Sequence, residues 1–113
     1  LFVGLSEINY KIFCSLKQKG FKNCAFCNRT EEKVERLIEK EEVQHLPWNQ
    51  IEQWPQFDIA IFGTKSPNFL VQRAPRLITC KLVIDLSIPR NVNPQIGRKA
   101  ELTLLNIDQL NRA

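Results

Sequence analysis

Two short stretches in the first third of the chain carry residue types and spacing suited to holding a phosphorylated ligand. Gly4-Leu5-Ser6-Glu7-Ile8-Asn9 follows the apolar run Leu1-Phe2-Val3. A second apolar run ends in Asn28-Arg29-Thr30, and Lys33 lies one turn further on. A glycine turn that opens a helix offers backbone N–H groups and the positive end of the helix to a pyrophosphate. Gly4 suits the tight-turn position, where a positive φ or the lack of a side chain is required. Ser6 replaces the glycine that lets the backbone approach the phosphates, and its hydroxyl is a possible donor. Asn9 replaces the third small residue, which predicts a helix pushed outward from its strand.

The end of the second run bears on the choice of dinucleotide. An acid there would bind a ribose 2′-hydroxyl and repel a 2′-phosphate. Arg29 instead predicts a 2′-phosphate partner, because its guanidinium pairs bidentately with phosphate and stacks on adenine. Asn28 and Thr30 add neutral donors and Lys33 a further cation, whereas Glu31 and Glu32 oppose this unless they turn outward. Gly63-Thr64 closes a later apolar run, at a place where it could pass beneath the nicotinamide half. The expected cofactor contacts are therefore Gly4, Leu5, Ser6, Glu7, Ile8, Asn9, Asn28, Arg29, Thr30, Lys33, Gly63 and Thr64. The plainer readings are a surface arginine beside a helix cap and a strand-to-loop glycine. No catalytic dyad is visible, since Asp58 and Asp85 lie at opposite ends of their strands without a histidine. Hydride transfer depends more on orientation than on protein acid–base groups.

The elements that must position these residues follow from periodicity. Ile8, Ile12 and Leu16 recur every fourth residue between Glu7 and Lys19, with Leu5 and Phe13 on their flanks. That stripe predicts a helix packed on a sheet, with Lys11, Lys17 and Lys19 in water, Cys14 fairly exposed and Gly20 as the stop. Asn23 to Cys27 reads as a second strand. Thr30 then suits an N-cap, with Glu31 and Glu32 in a first turn that favours acids. Val43 to Leu46 reads as a short strand, and Asn49 to Trp54 as a single helical turn with both tryptophans packing. Asp58 to Phe62, Lys81 to Asp85 and Glu101 to Leu105 read as further strands. A brief helix is expected at Asn68 to Arg73, a loop at Ser87 to Pro94, and another helix from Asp108. Continuous apolar strands alternating with helices predict an α/β, Rossmann-like, doubly wound, mainly parallel sheet with helices on both faces.

Composition sets the outer bounds. The 113 residues suffice for one domain with one core, spanning 1–113, and hydrophobic (43%) and charged (25%) shares are ordinary for a globular chain. Beginning part-way into a strand, without methionine, the chain reads as a fragment of a longer enzyme. The basic excess is scattered rather than interleaved with aromatics, which suits a solvated surface better than a nucleic-acid patch. Cys24 and Cys27 have C-x-x-C spacing but fall inside a strand. His45 is the sole histidine, so redox and metal roles are disfavoured. Free thiols in a reducing cytoplasm are expected, with no membrane segment.

Together these segments resemble the NADPH-binding domain of glutamyl-tRNA reductase, the first committed enzyme of tetrapyrrole (porphyrin) synthesis from glutamate. Gly4 to Asn9 corresponds to the family's glycine-rich segment, with Glu7 matching, and its Asn-Arg-Thr signature stands at Asn28-Arg29-Thr30 with a basic residue at Lys33. Ile84 to Pro94 is similar to the family's Asp-x-x-x-Pro-Arg-Asp segment, with Asn91 in place of the last acid. Asn106-Ile107-Asp108-Gln109-Leu110 resembles the lead into its dimerisation helix. The resemblance implies an oxidoreductase that reduces glutamyl-tRNA to glutamate-1-semialdehyde with NADPH. In that family a separate N-terminal domain recognises the charged tRNA and supplies a cysteine that holds glutamate as a thioester. None of the four cysteines here matches that nucleophile, so these residues would bind NADPH and catalyse nothing alone. The resemblance also implies a homodimer through C-terminal helices and handover of product to an aminomutase. Two alternatives remain: a shikimate dehydrogenase-like enzyme, which also pairs a glycine turn with Asn-Arg-Thr, and a non-catalytic interaction module with a decayed cofactor site.

Overall fold

The computed structural model describes residues 1–98 and 101–112. Six strands form one sheet: β1 (Phe2–Val3), β2 (Ala25–Cys27), β3 (Gln44–His45), β4 (Ile59–Phe62), β5 (Leu82–Asp85) and β6 (Thr103–Asn106). Their order is β3-β2-β1-β4-β5-β6, and every pairing is parallel. Strand order therefore reverses between β1 and β4, which opens a crevice at the carboxyl ends of these two strands. Helices α1 (Glu7–Gln18) and α2 (Glu31–Ile38) carry the chain through β1, β2 and β3, and α3 (Ile107–Arg112) follows β6.

Alternation along the strands divides the core into two layers. Phe2, Phe26 and Ile61 face the α1 and α2 side, with Phe13, Val34 and Leu37. Val3, Cys27 and Phe62 face the other side, with Leu46, Trp54 and Val83. On the helical side Phe2 stacks on Phe26 at 4.9 Å between ring centroids, and Phe13 meets Phe26 edge-on at 5.3 Å. These offset and edge contacts suit the ring quadrupoles and fix how α1 sits on the sheet.

Several expectations are corrected. Asn9 and Phe13 are the fully buried residues of α1, Ile12 and Leu16 of the expected stripe pack half-buried on the same layer, and Ile8 departs from it at 45% exposed. Anchoring by Asn9 turns the helix, bringing Phe13 against Phe26 and leaving Ile8 facing the crevice. Cys14 is half-buried against the same layer, because that rotation moves it toward the sheet. Thr30 occupies the N-cap of α2 but makes no side-chain cap bond. The turn at 49–54 extends into a 3-10 segment, Trp48–Gln56, kinked at Gln50.

No helix forms at Asn68 to Arg73. The amides of Leu70 and Val71 instead donate to the Asn91 carbonyl, and Val71 bridges Val92 in parallel. The winding beyond β4 is thus carried by loops and a short 3-10 turn, Pro94–Arg98, rather than by α-helices. The loop expected at Ser87 to Pro94 is pinned inside the fold, with Ser87, Asn91 and Val92 buried. Among the described residues no helix is long and apolar enough to cross a membrane.

Candidate functional site

The crevice at the strand reversal is a cleft of about 1050 Å³, at the upper end of the roughly 300–1,000 Å³ typical of ligand sites. Its floor is the turn after β1. Gly4 has φ +98°, and a Cβ placed on it would lie 2.5 Å from the Gly63 carbonyl oxygen. Only glycine fits there, on both conformational and steric grounds. The Gly4 amide donates to the Cys27 carbonyl at 2.8 Å, and the Gly63 amide to the Val3 carbonyl at 2.9 Å. Both bonds continue the sheet ladder up to the cleft.

Ser6 is the N-cap of α1, and its Oγ accepts the Asn9 amide at 3.3 Å. The amides of Ser6, Glu7 and Ile8 have no acceptor within the described chain, and these residues border the cleft. Three free N–H groups at the start of a twelve-residue helix make a site for an anion. The Leu5 amide is engaged: it donates to Asn28 Oδ1 at 2.8 Å.

Asn9 does not push α1 away. It is fully buried, and its Nδ2 donates to the carbonyls of Gly4 at 2.8 Å and Val3 at 3.2 Å. The side chain spans the gap between β1 and β4, so a Cβ on Gly63 would meet Asn9 Oδ1 at 2.9 Å. Space that a third glycine would leave empty is filled by an amide satisfying backbone carbonyls. Asn9 therefore lies beneath the cleft rather than in it.

At the end of β2, Asn28 ties two loops together, since its Nδ2 also donates to the Thr30 carbonyl at 2.9 Å. Asn28 borders the cleft with one Nδ2–H and its Oδ1 engaged by the protein, and Thr30 does not border it. Arg29 and Lys33 border the cleft, and neither forms an ion pair with a described residue. Glu31 is turned away, its Oε1 accepting the Trp48 amide at 2.9 Å. Lys11, Lys65 and Trp48 also border the cleft and were not expected there. Lys11 pairs with Glu7 at 3.3 Å. Lys65 follows Gly63-Thr64 directly, so its place was readable, whereas Trp48 read as packing alone.

Behind Gly63-Thr64 lies a buried polar network. Asn91 Oδ1 accepts the Thr64 amide (3.2 Å), the Thr64 hydroxyl (2.6 Å) and the Ser87 hydroxyl (2.5 Å). Asp85, at the end of β5, accepts the amides of Ser87 (3.1 Å), Asn91 (2.8 Å) and Val92 (2.9 Å). Asp85 thus shapes the loop rather than acting on a ligand. Arg90 leaves the same loop to pair with Asp108 in α3 at 3.0 Å.

The cysteines are free thiols. Burial pushes the Cys27 thiol up to about 11 and raises Cys24 and Cys80 as well. None of these three supplies a thiolate nucleophile near neutral pH. Among the described residues no group of His, Cys, Asp and Glu is placed to hold a metal ion.

Strand order, glycine turn, free helix amides and cleft together define a dinucleotide-binding domain of the Rossmann class. More particularly, the chain belongs to the family described as shikimate / quinate 5-dehydrogenase, whose model matches residues 1–113. It is 28% identical over 118 residues to a glutamyl-tRNA reductase of Alkalilimnicola ehrlichii, covering 97% of this chain and 26% of that protein. It is 29% identical over 117 residues to the one from Alkaliphilus metalliredigens, covering 97% and 28%. Among solved structures, glutamyl-tRNA reductase from Methanopyrus kandleri superposes with a TM-score of 0.78 at 21% identity, over 98% of this chain and 30% of that one. The resemblance drawn from Asn28-Arg29-Thr30 and Pro89-Arg90 is thus matched by relatives of that name. The chain spans little more than a quarter of the length of these curated relatives.

Proposed function

We propose that residues 1–113 are the NADPH-binding domain of an enzyme that reduces glutamyl-tRNA to glutamate-1-semialdehyde. The observation that carries this reading is the likeness to glutamyl-tRNA reductases over 97% of the chain. The cleft suits the cofactor's charge. Free amides of Ser6, Glu7 and Ile8 would hold the pyrophosphate, and Arg29 with Lys33 the 2′-phosphate. Gly63 and Thr64 would flank the nicotinamide half. When bound, NADPH supplies a hydride to an acyl carbon; this domain's own residues orient it and keep the strand ends in register. Recognition of the charged tRNA and the thioester-forming cysteine belong to other parts of such an enzyme. A homodimer, handover to an aminomutase and a cytoplasmic location complete the proposal.

A second reading is favoured by the family description itself, a shikimate dehydrogenase-like oxidoreductase using the same cleft. The interaction-module alternative loses its main support, because Asn9 completes the turn rather than disrupting it. Assay of the full-length protein separates the two enzymes. NADPH oxidation dependent on glutamyl-tRNA, with none on 3-dehydroshikimate, is expected. The reverse pattern would replace the first reading with the second.

A further inference from the structure

The cleft divides at β1 into two ends of different chemistry. Its β2 end carries Arg29 and Lys33, and its floor the free amides at the start of α1. Its β4 end is formed by Gly63, Thr64, Lys65, Ser66 and Leu70. There the hydroxyls are spent on the protein. Thr64 Oγ1 donates to Asn91 Oδ1 at 2.6 Å and accepts the Ser66 amide at 3.1 Å. Ser66 Oγ donates to the Asn68 carbonyl at 3.0 Å and accepts the Asn68 amide at 3.3 Å. The Thr64 methyl turns toward Gly4, where it would stand 2.9 Å from a Cβ on that glycine. With Leu70 half-buried at the same end, the one charge there is Lys65, which is exposed and forms no ion pair with a described residue. Among the described residues that border the cleft, Glu7 is the one acid, and Lys11 pairs with it at 3.3 Å. Asp85, at the end of the neighbouring strand β5, is turned into its own loop, where three amides hold it.

We propose that Lys65 makes this cleft selective for the reduced over the oxidised form of a nicotinamide dinucleotide. The proposal rests on the dinucleotide reading and adds the residue that tells the two redox forms apart. With the pyrophosphate on the α1 amides and a 2′-phosphate at Arg29 and Lys33, no phosphate is left for Lys65 across the strand reversal. What reaches the β4 end is the ring. A reduced nicotinamide ring is neutral, whereas loss of its hydride leaves a pyridinium with one positive charge. A methyl floor solvates that charge poorly, and an unpaired ammonium repels it. The neutral ring meets neither penalty. Lys65 therefore favours loading of the cleft with the hydride donor and release of the spent form.

The test is calorimetric titration, at low ionic strength, of the native full chain and of Lys65→Gln. The ligands are NADPH, NADP⁺ and 2′-phospho-ADP-ribose, which lacks the ring. The native chain should bind NADPH more tightly than NADP⁺. Lys65→Gln should shrink that ratio about three- to tenfold, chiefly by tightening NADP⁺, and leave the ringless probe within about twofold. Added salt should narrow the native ratio toward that of the variant. Arg29→Ala, at the other end of the cleft, should weaken both redox forms and keep their ratio. An unchanged ratio in Lys65→Gln would overturn the proposal and leave the dinucleotide reading standing. So would an equal loss of all three ligands, which would put Lys65 on a phosphate instead. Failure of all three to bind a folded native chain would refute both.

Discussion

Gly4 lies so close to the Gly63 carbonyl that it has no room for a side chain, the Asn9 amide closes the same space at Gly63, and the cleft floor depends on this packing. Gly4→Ala places a methyl against the Gly63 carbonyl and a left-handed φ on a residue that resists it. It should destabilise the fold by at least about 2 kcal/mol in urea titration. Asn9 reaches a similar end by different means, holding the turn through two carbonyls. The buried thiols predict a pH response. Cys27 ionises near its ordinary 9.0 when unfolded and at about 11 when folded, so the unfolded state loses its proton first as pH rises. Its contribution is therefore fully present below pH 9 and lost progressively toward 11. Unfolding midpoints measured from pH 8 to 11 should fall over that range, and Cys27→Ala should flatten the slope. At neutral pH, thiol-labelling reagents should modify Cys14 well before Cys24, Cys27 or Cys80.

Among the elements, the loop after β5 carries more of the site's order than its irregular outline suggests. Asp85 holds three of its amides, and Asn91 passes that order to Thr64 at the cleft. Asp85→Ala leaves those amides buried without acceptors and should cost about 3 kcal/mol or more in chemical denaturation. Asn91→Ala should cost about 1–3 kcal/mol by loss of the Thr64 and Ser87 bonds. This loop also shows where sequence reading runs out. Strands β4 and β5 were legible because Ile59–Phe62 and Leu82–Ile84 are continuous apolar runs, as a sheet covered on both faces requires. The Asn68–Arg73 helix failed because its apolar residues are claimed by Asn91 and Val92, more than twenty positions away. The turn of α1 about its axis was hidden for the same reason. Periodicity favoured Ile8, but a buried Asn9 bonding to β1 and packing beside Gly63 outweighs one exposed isoleucine. Gly4 and Arg29 could be placed from type and spacing; the position of Trp48 at the cleft edge could not, because nothing local distinguishes it from a core tryptophan.

At the scale of the whole molecule, the sheet brings three sources of positive potential to one crevice: the start of α1, the end of β2 and the loop after β4. Lys11, Arg29, Lys33 and Lys65 border it, with Lys11 alone paired among them to a described acid. Affinity for a polyanionic dinucleotide should therefore weaken as salt rises and the Debye length contracts from about 10 Å at 0.1 M to 3 Å at 1 M. NADPH, carrying the extra phosphate, should lose more than NADH. The most direct measurement of the central claim is a calorimetric titration of the native protein and of Arg29→Ala with both nucleotides. NADPH should bind the native protein more tightly than NADH. Arg29→Ala should weaken NADPH by about ten- to a hundredfold and NADH far less. Equal affinity of the native protein for the two nucleotides, or an Arg29→Ala variant that still prefers NADPH, would contradict it.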